Sequence, residues 1–294
     1  MTRTALFLSP HLDDVAFSCG AFAAVLRDRG WRTVLATVFT RSVVRAEGFA
    51  LACQLDKGLG AEVDYMALRR DEDRDAAGIL GFAECLHLGL EEAPHRGYDS
   101  PAALFGAVRA DDRAWQAVAE LAAGLARGAA PALVLAPQGL GGHVDHLQMA
   151  RAVREGVLAP VWWYRDTPYA IRHGDAPCPA PLAGLGGIAV AADAGLERKV
   201  AAACAYRSQV GFQFGGDAGT AAALLGFARN EAGRALAAGE SIEGGEPGVE
   251  AGPGGSASGE PGFGEMGRSA GAAERFLCAA GARAALVAAM RGAA

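Results

Sequence analysis

No stretch of this 294-residue chain holds eighteen consecutive apolar residues, so a transmembrane helix is not expected. The apolar run before His11 is only Ala5 to Leu8, too short for the apolar core of a secretory signal. An excess of basic charge is missing too: 27 Lys and Arg face 33 Asp and Glu, a net charge of −6. That removes any general attraction to nucleic acid or to an anionic membrane. The six cysteines (Cys19, Cys53, Cys85, Cys178, Cys204 and Cys278) include no Cys-x-x-Cys pair and read as reduced thiols of a cytoplasmic protein. No Gly-x-Gly-x-x-Gly follows the first apolar run, so a dinucleotide reading lacks its phosphate loop. There is no internal repeat. Residues 238–272 have one aromatic, Phe263, among 12 glycines and six glutamates. Such a stretch buries too little apolar surface to offset its ordering entropy, and we expect a flexible surface excursion at about 239–272.

The whole chain, 294 residues and 51% hydrophobic, is enough for a large α/β fold. Its most informative stretch is Ser9-Pro10-His11-Leu12-Asp13-Asp14. It follows a short apolar strand and precedes a helix from Val15 to Arg29. In open α/β sheets ligands bind at that carboxyl edge. A histidine and a carboxylate three residues apart can meet one metal ion there, leaving a second carboxylate free to act as a base. The same residues also read as an Asp helix cap beside an incidental histidine.

A second cluster favours the metal. Residues 131–137 read as another buried strand, running through glycines into His143-Val144-Asp145-His146 at a helix start. Two histidines at i and i+3 share a helix face, and two such clusters at strand ends converge in a parallel sheet.

Strands are further expected at 31–39, 62–66, 86–88, 161–164 and 187–191, and helices at 46–60, 69–80, 102–127, 196–209, 221–238 and 280–291. The alternation predicts right-handed βαβ units and an α/β fold, a Rossmann-like, mostly parallel sheet with helices on both faces. The whole chain, residues 1–294, is read as one domain carrying the glycine-rich excursion. Arg41 and one arginine of the charge-dense run, Arg70, are candidate substrate contacts, as are Tyr98 and Asp166 on loops at the sheet edge.

These motifs resemble the zinc-dependent amidohydrolases of the PIG-L/LmbE family, which remove acyl groups from N-acyl amino sugars. The likeness rests on His11-Leu12-Asp13-Asp14 and His143-Val144-Asp145-His146, and extends to 164–169, Tyr206-Arg207-Ser208-Gln209 and Glu274-Arg275-Phe276. Leu12 stands where proline is usual, and Val15 where glutamate is common. This looks like the branch that includes deacetylases of antibiotic and glycopeptide sugars. Gly142 stands where some thiol-sugar deacetylases carry a tyrosine. The resemblance implies Zn²⁺ held by His11, Asp14 and His146, Asp13 as general base, and a protonated His143 stabilising the oxyanion or protonating the leaving amine. It implies a small-molecule N-acyl amino-sugar substrate, with no nucleic-acid or membrane partner; self-association is left open. Two other readings remain: an amidase on a non-sugar N-acyl metabolite such as an N-acyl cysteine conjugate, and a metal- or sugar-binding module without turnover. Val15 is the feature favouring the last.

Overall fold

The apolar runs pair into a sheet buried on both faces. The computed structural model describes residues 2–174, 177–244 and 271–291. Its elements are β1 (Thr4–Ser9), α1 (Asp14–Asp28), β2 (Arg32–Phe39), α2 (Gly48–Leu55), α3 (Tyr65–Leu80), β3 (Glu84–Leu90), α4 (Pro101–Leu104), α5 (Ala114–Ala129), β4 (Leu133–Pro137), α6 (Val144–Gly156), β5 (Val161–Tyr164), α7 (Tyr169–Arg172), β6 (Gly186–Ala191), α8 (Asp193–Ala205), α9 (Arg207–Phe214), α10 (Asp217–Ala237), β7 (Ile242–Glu243), β8 (Ala273–Cys278) and α11 (Ala280–Arg291). The eight described strands lie in the order β3-β2-β1-β4-β5-β8-β6-β7. Strands β1 to β5 run parallel, and β8 is antiparallel to both β5 and β6. The expected Rossmann-like α/β sheet is therefore the observed one.

Strand β1 shows why its run is continuously apolar. Ala5 and Phe7 pack on Val15, Cys19, Phe22 and Leu26 of α1. Leu6 and Leu8 point the other way, toward Val118 and Ala122 of α5 and Met149 and Val153 of α6. The strand order reverses between β1 and β4, since β2 lies on one side of β1 and β4 on the other. This leaves a crevice at their carboxyl ends, where both histidine clusters emerge.

Several expectations are corrected. Residues 62–66 form no strand, because the Asp64 carboxylate accepts the Ala67 N–H at 2.9 Å and caps α3 instead. The helix expected over 102–127 is two. Asp112 anchors the intervening loop, taking hydrogen bonds from Arg96, Tyr98 and the Ala114 N–H. The helix expected over 196–209 also divides, where Tyr206 leaves helical geometry and puts its hydroxyl on Asp73 at 2.6 Å. The helix expected over 46–60 is limited to α2. Of the glycine-rich excursion, residues 245–270 lie outside the described residues; at its start Ile242 and Glu243 pair with β6 as β7. Among the described residues no helix is long and apolar enough to cross a membrane.

Candidate active site

His11 leaves β1 at the crevice, and α1 begins three residues later. The tight turn brings the Asp14 carboxylate back onto the His11 backbone N–H at 2.8 Å. Across the crevice the chain leaves β4 through three glycines with positive φ: Gly139, Gly141 and Gly142. At Gly141 a side chain is excluded on two counts. Its φ is +81°, and a Cβ would come within 2.5 Å of the Tyr169 ring. This loop delivers His143 as the cap of α6 and His146 into its first turn.

Two carboxylates fix the rings of His11 and His146. His11 Nε2 lies 3.0 Å from Asp145 Oδ2, and His146 Nδ1 lies 2.6 Å from Asp166 Oδ1. Carboxylates only accept, so these nitrogens donate. The lone pairs of His11 Nδ1 and His146 Nε2 are thereby turned toward each other at 3.3 Å. Asp14 Oδ2 completes a triangle, 3.3 Å from the first and 3.4 Å from the second. Three acceptors face one point. Ligands about 2.0–2.1 Å from a tetrahedral metal ion stand roughly 3.4 Å apart, so the triangle fits one face of such a site. Its electrostatics agree. Burial would lower the His11 pKa, but Asp14 and Asp145 more than offset it and raise it. Burial would raise Asp14, yet His146 and His11 hold it down at about 2. The point concentrates negative charge and favours a cation.

Behind the triangle each supporting carboxylate is itself held. Asp145 accepts from the Ala93 N–H at 3.0 Å and from Arg96 at 2.6 Å. Asp166 accepts from the Gly139 and Leu140 N–H groups at 3.0 and 3.1 Å. Such partners orient ligating imidazoles and raise their basicity.

Asp13 and His143 flank the triangle and line a cavity of about 450 Å³. Asp13 has a φ of 157°, a conformation side chains rarely adopt and one found at functional sites. Burial pushes its carboxyl up to about 7, although Arg69 opposes this; Arg69 Nη2 lies 3.6 Å from Asp13 Oδ2. His143 Nδ1 accepts the Asp145 N–H at 3.2 Å, which leaves the proton of the neutral ring on Nε2. Burial, and the neighbouring His11, push His143 down to about 3. Both effects favour a neutral ring with an Nε2–H donor, where the resemblance implied an imidazolium.

The four candidate substrate contacts are not where they were expected. Asp166 is wholly buried with both oxygens engaged, one of them by His146. Tyr98 is buried too, its hydroxyl shared between Asp112 and the Arg109 N–H. Arg70 turns to the Thr40 carbonyl and Ser42 hydroxyl. Arg41 is exposed, 3.6 Å from Glu91, and outside the cavity wall. Arg69 occupies the place expected of Arg70. Helical phase could have identified it, because Met66, Arg69, Asp73, Ala76 and Leu80 share the buried face of α3. Tyr169 and Glu92 also line the cavity. Val15, standing where glutamate is common, packs into the core beneath β1.

The profile of the family described as "PIG-L: GlcNAc-PI de-N-acetylase" matches residues 6–157, a span that contains both histidine clusters. The 2'-N-acetylparomamine deacetylase of Streptomyces fradiae is 41% identical over 169 residues, 56% of this chain and 57% of that protein. The match thus spans little more than half of the curated relative. Among solved structures, the A40926 pseudoaglycone deacetylase Dbv21 superposes with a TM-score of 0.70 at 24% identity, over 94% of this chain and 96% of its own. A zinc-inhibited form of teicoplanin deacetylase Orf2 follows at 0.64 and 20%, over 93% and 97%. At these identities the two structures speak for the fold.

Proposed function

The chain belongs to the PIG-L family of GlcNAc-PI de-N-acetylases, and from that premise we propose that it hydrolyses the N-acetyl amide of an amino-sugar-containing small molecule in a zinc-dependent reaction. One observation carries the reading: the triangle of His11 Nδ1, Asp14 Oδ2 and His146 Nε2, with Asp13 beside it in the cavity. His11, Asp14 and His146 hold the ion. The two nitrogens and one oxygen suit Zn²⁺. When bound, the ion supplies Lewis acidity to the amide carbonyl and to a water.

The other roles follow from position. Asp13 is the general base: it has no place in the triangle, and its carboxylate faces the cavity. It takes a proton from the attacking water and returns it to the departing amine. Arg69 holds Asp13 in place. His143 donates its Nε2–H to the oxygen that gains negative charge as the carbonyl is attacked. Ser42, Glu62, Gln209 and Gln213 offer polar groups to a hydroxyl-rich ligand, and Tyr65 and Tyr169 offer ring faces. The paromamine-acting relative supports an amino-sugar substrate and a setting in natural-product biosynthesis. We read the whole chain as one catalytic domain of a cytoplasmic enzyme.

Acetate release tests this directly. Zinc-loaded protein should free one acetate per amine from an N-acetylated aminoglycoside fragment, stop on chelation and recover with zinc. Turnover of N-acyl cysteine conjugates alone would replace the substrate class. Binding of amino sugars with no acetate released would leave a module without catalysis.

The carboxylate behind His146 has its own test. Asp166→Asn keeps the shape but weakens the acceptor that fixes the Nδ1–H. Such supporting partners are worth about 10–100-fold in metal affinity. We expect zinc affinity to fall by about that factor, measured by competition with a chelating dye, while circular dichroism stays native. Unchanged affinity would remove Asp166 from the metal's support.

A further inference from the structure

A second convergent set of donors lies away from the cavity, against the outer strand of the sheet. Cys85 and His87 stand two residues apart on β3, so their side chains emerge on one face. Asp73 approaches that face from α3. Cys85 Sγ lies 3.6 Å from Asp73 Oδ2 and 3.6 Å from His87 Nε2, and His87 Nε2 lies 2.9 Å from the same oxygen. All three ligand atoms lie within 4.8 Å of one another. We propose that Asp73, Cys85 and His87 form a second metal site, distinct from the catalytic one, for a zinc-class divalent ion.

The distances favour it. With a sulfur about 2.3 Å and nitrogen and oxygen about 2.0–2.1 Å from a tetrahedral ion, sulfur-to-ligand edges come to roughly 3.5 Å. The nitrogen-to-oxygen edge comes to roughly 3.3 Å, so only the 2.9 Å contact must open, by a few tenths of an ångström. A thiolate, an imidazole and a carboxylate together select zinc, cobalt or cadmium over magnesium or calcium. The carboxylate is already aimed. Tyr206 donates its hydroxyl to Asp73 Oδ1 at 2.6 Å and Thr37 donates to Oδ2 at 3.1 Å, the kind of outer support that ligating carboxylates receive. Cys85 and His87 are only partly buried on an edge strand, which gives an ion a route in.

The proton balance is simple. Burial, and then Asp73, push the Cys85 thiol up to about 12, so the metal-free site holds S–H. His87 donates its Nε2–H to Asp73. On binding, the thiol proton leaves to solvent and the imidazole proton moves to Nδ1. Sulfur, nitrogen and oxygen then each give one lone pair to the ion, with a fourth position for water. No electron is transferred.

Cobalt titration of the full chain separates this site from the catalytic one, because the catalytic triangle contains no sulfur. Wild-type protein should take up two Co²⁺ per chain and develop thiolate-to-cobalt charge-transfer absorption. Cys85→Ser should bind one, without that absorption, and so should His87→Gln, a second variant in case the first folds poorly. His146→Ala should lose the other equivalent and keep the thiolate band. A wild-type chain that saturates at one Co²⁺ with no thiolate band would overturn the proposal, as would a band that survives Cys85→Ser. Failure of the catalytic assignment reads differently: the thiolate band would stand while His146→Ala changed nothing.

Discussion

Replacing Asp13 with asparagine should lower kcat by about 10²–10⁴-fold, the usual contribution of a general base, while KM moves much less. The expectation comes from where Asp13 sits. Its neighbour Asp14 is committed to the His11 and His146 nitrogens and to the His11 N–H. Asp13 reaches none of those atoms; its described partner is Arg69 at 3.6 Å. Asparagine preserves volume and an oxygen for Arg69 but cannot take a proton at neutral pH. Zinc content by elemental analysis should therefore stay at the wild-type level. Loss of zinc would make Asp13 a ligand, and near-wild-type acetate release from a zinc-loaded variant would leave the mechanism without its base. His143→Gln makes the useful comparison. It too should keep the metal, and its rate should fall through lost donation to the oxyanion.

How much of this was legible from the residues alone depends on range. His11, Asp13 and Asp14 lie within five residues of a strand end, and His143 and His146 follow a second strand end. Local pattern and the rule for open sheets place both at one edge, and the strand order β2-β1-β4 delivers them there. The supports are long-range. Asp166 looked like a loop residue free to meet substrate, because nothing nearby in sequence says that the Gly139 and Leu140 N–H groups and His146 will surround it. Tyr98 was misread for the same reason: its partner Asp112 is fourteen residues on, in a loop read as helix. Arg69 and Arg70 differ only in helical phase. That signal was present, but the charge-dense run hid it, since four of the seven residues from Arg69 to Asp75 are not buried. Strand β8 was not among the expected strands, because Ala-Glu-Arg-Phe-Leu-Cys does not alternate cleanly. Its glutamate belongs to the core for a reason no periodicity carries.

That glutamate should be costly to remove. Glu274→Gln, or Lys199→Met alone, should destabilise the fold by about 3–5 kcal/mol, the cost of leaving one member of a buried ion pair uncompensated. Lys199 Nζ lies 2.6 Å from Glu274 Oε1, and both side chains are almost wholly buried. Their position explains why a charged pair is kept there. Helix α1 breaks at Cys19, where φ is −137° and ψ is 25°. In an unbroken helix the Ala21 and Phe22 N–H groups would bond to Phe17 and Ser18 carbonyls. Instead they donate to the Glu274 carboxylate at 3.3 and 2.7 Å, and Lys199 donates to the Ser18 carbonyl at 3.2 Å. The pair supplies the partners that the break removes, and so satisfies buried backbone groups that would otherwise be orphaned. Beside the break the Ser18 hydroxyl accepts the Thr167 N–H at 3.0 Å, next to Asp166 and therefore to His146. A chemical-denaturation midpoint is the first readout, and the double variant Lys199→Met/Glu274→Gln is the control. It removes both charges, so it should be less destabilised than the sum of the single variants. Strict additivity would mean that the two side chains act independently. Because the break is tied through Ser18 and Thr167 to Asp166, either single variant that still folds should also bind zinc more weakly. Unchanged zinc affinity in a folded Lys199→Met would separate the ion pair from the metal site and confine its role to α1.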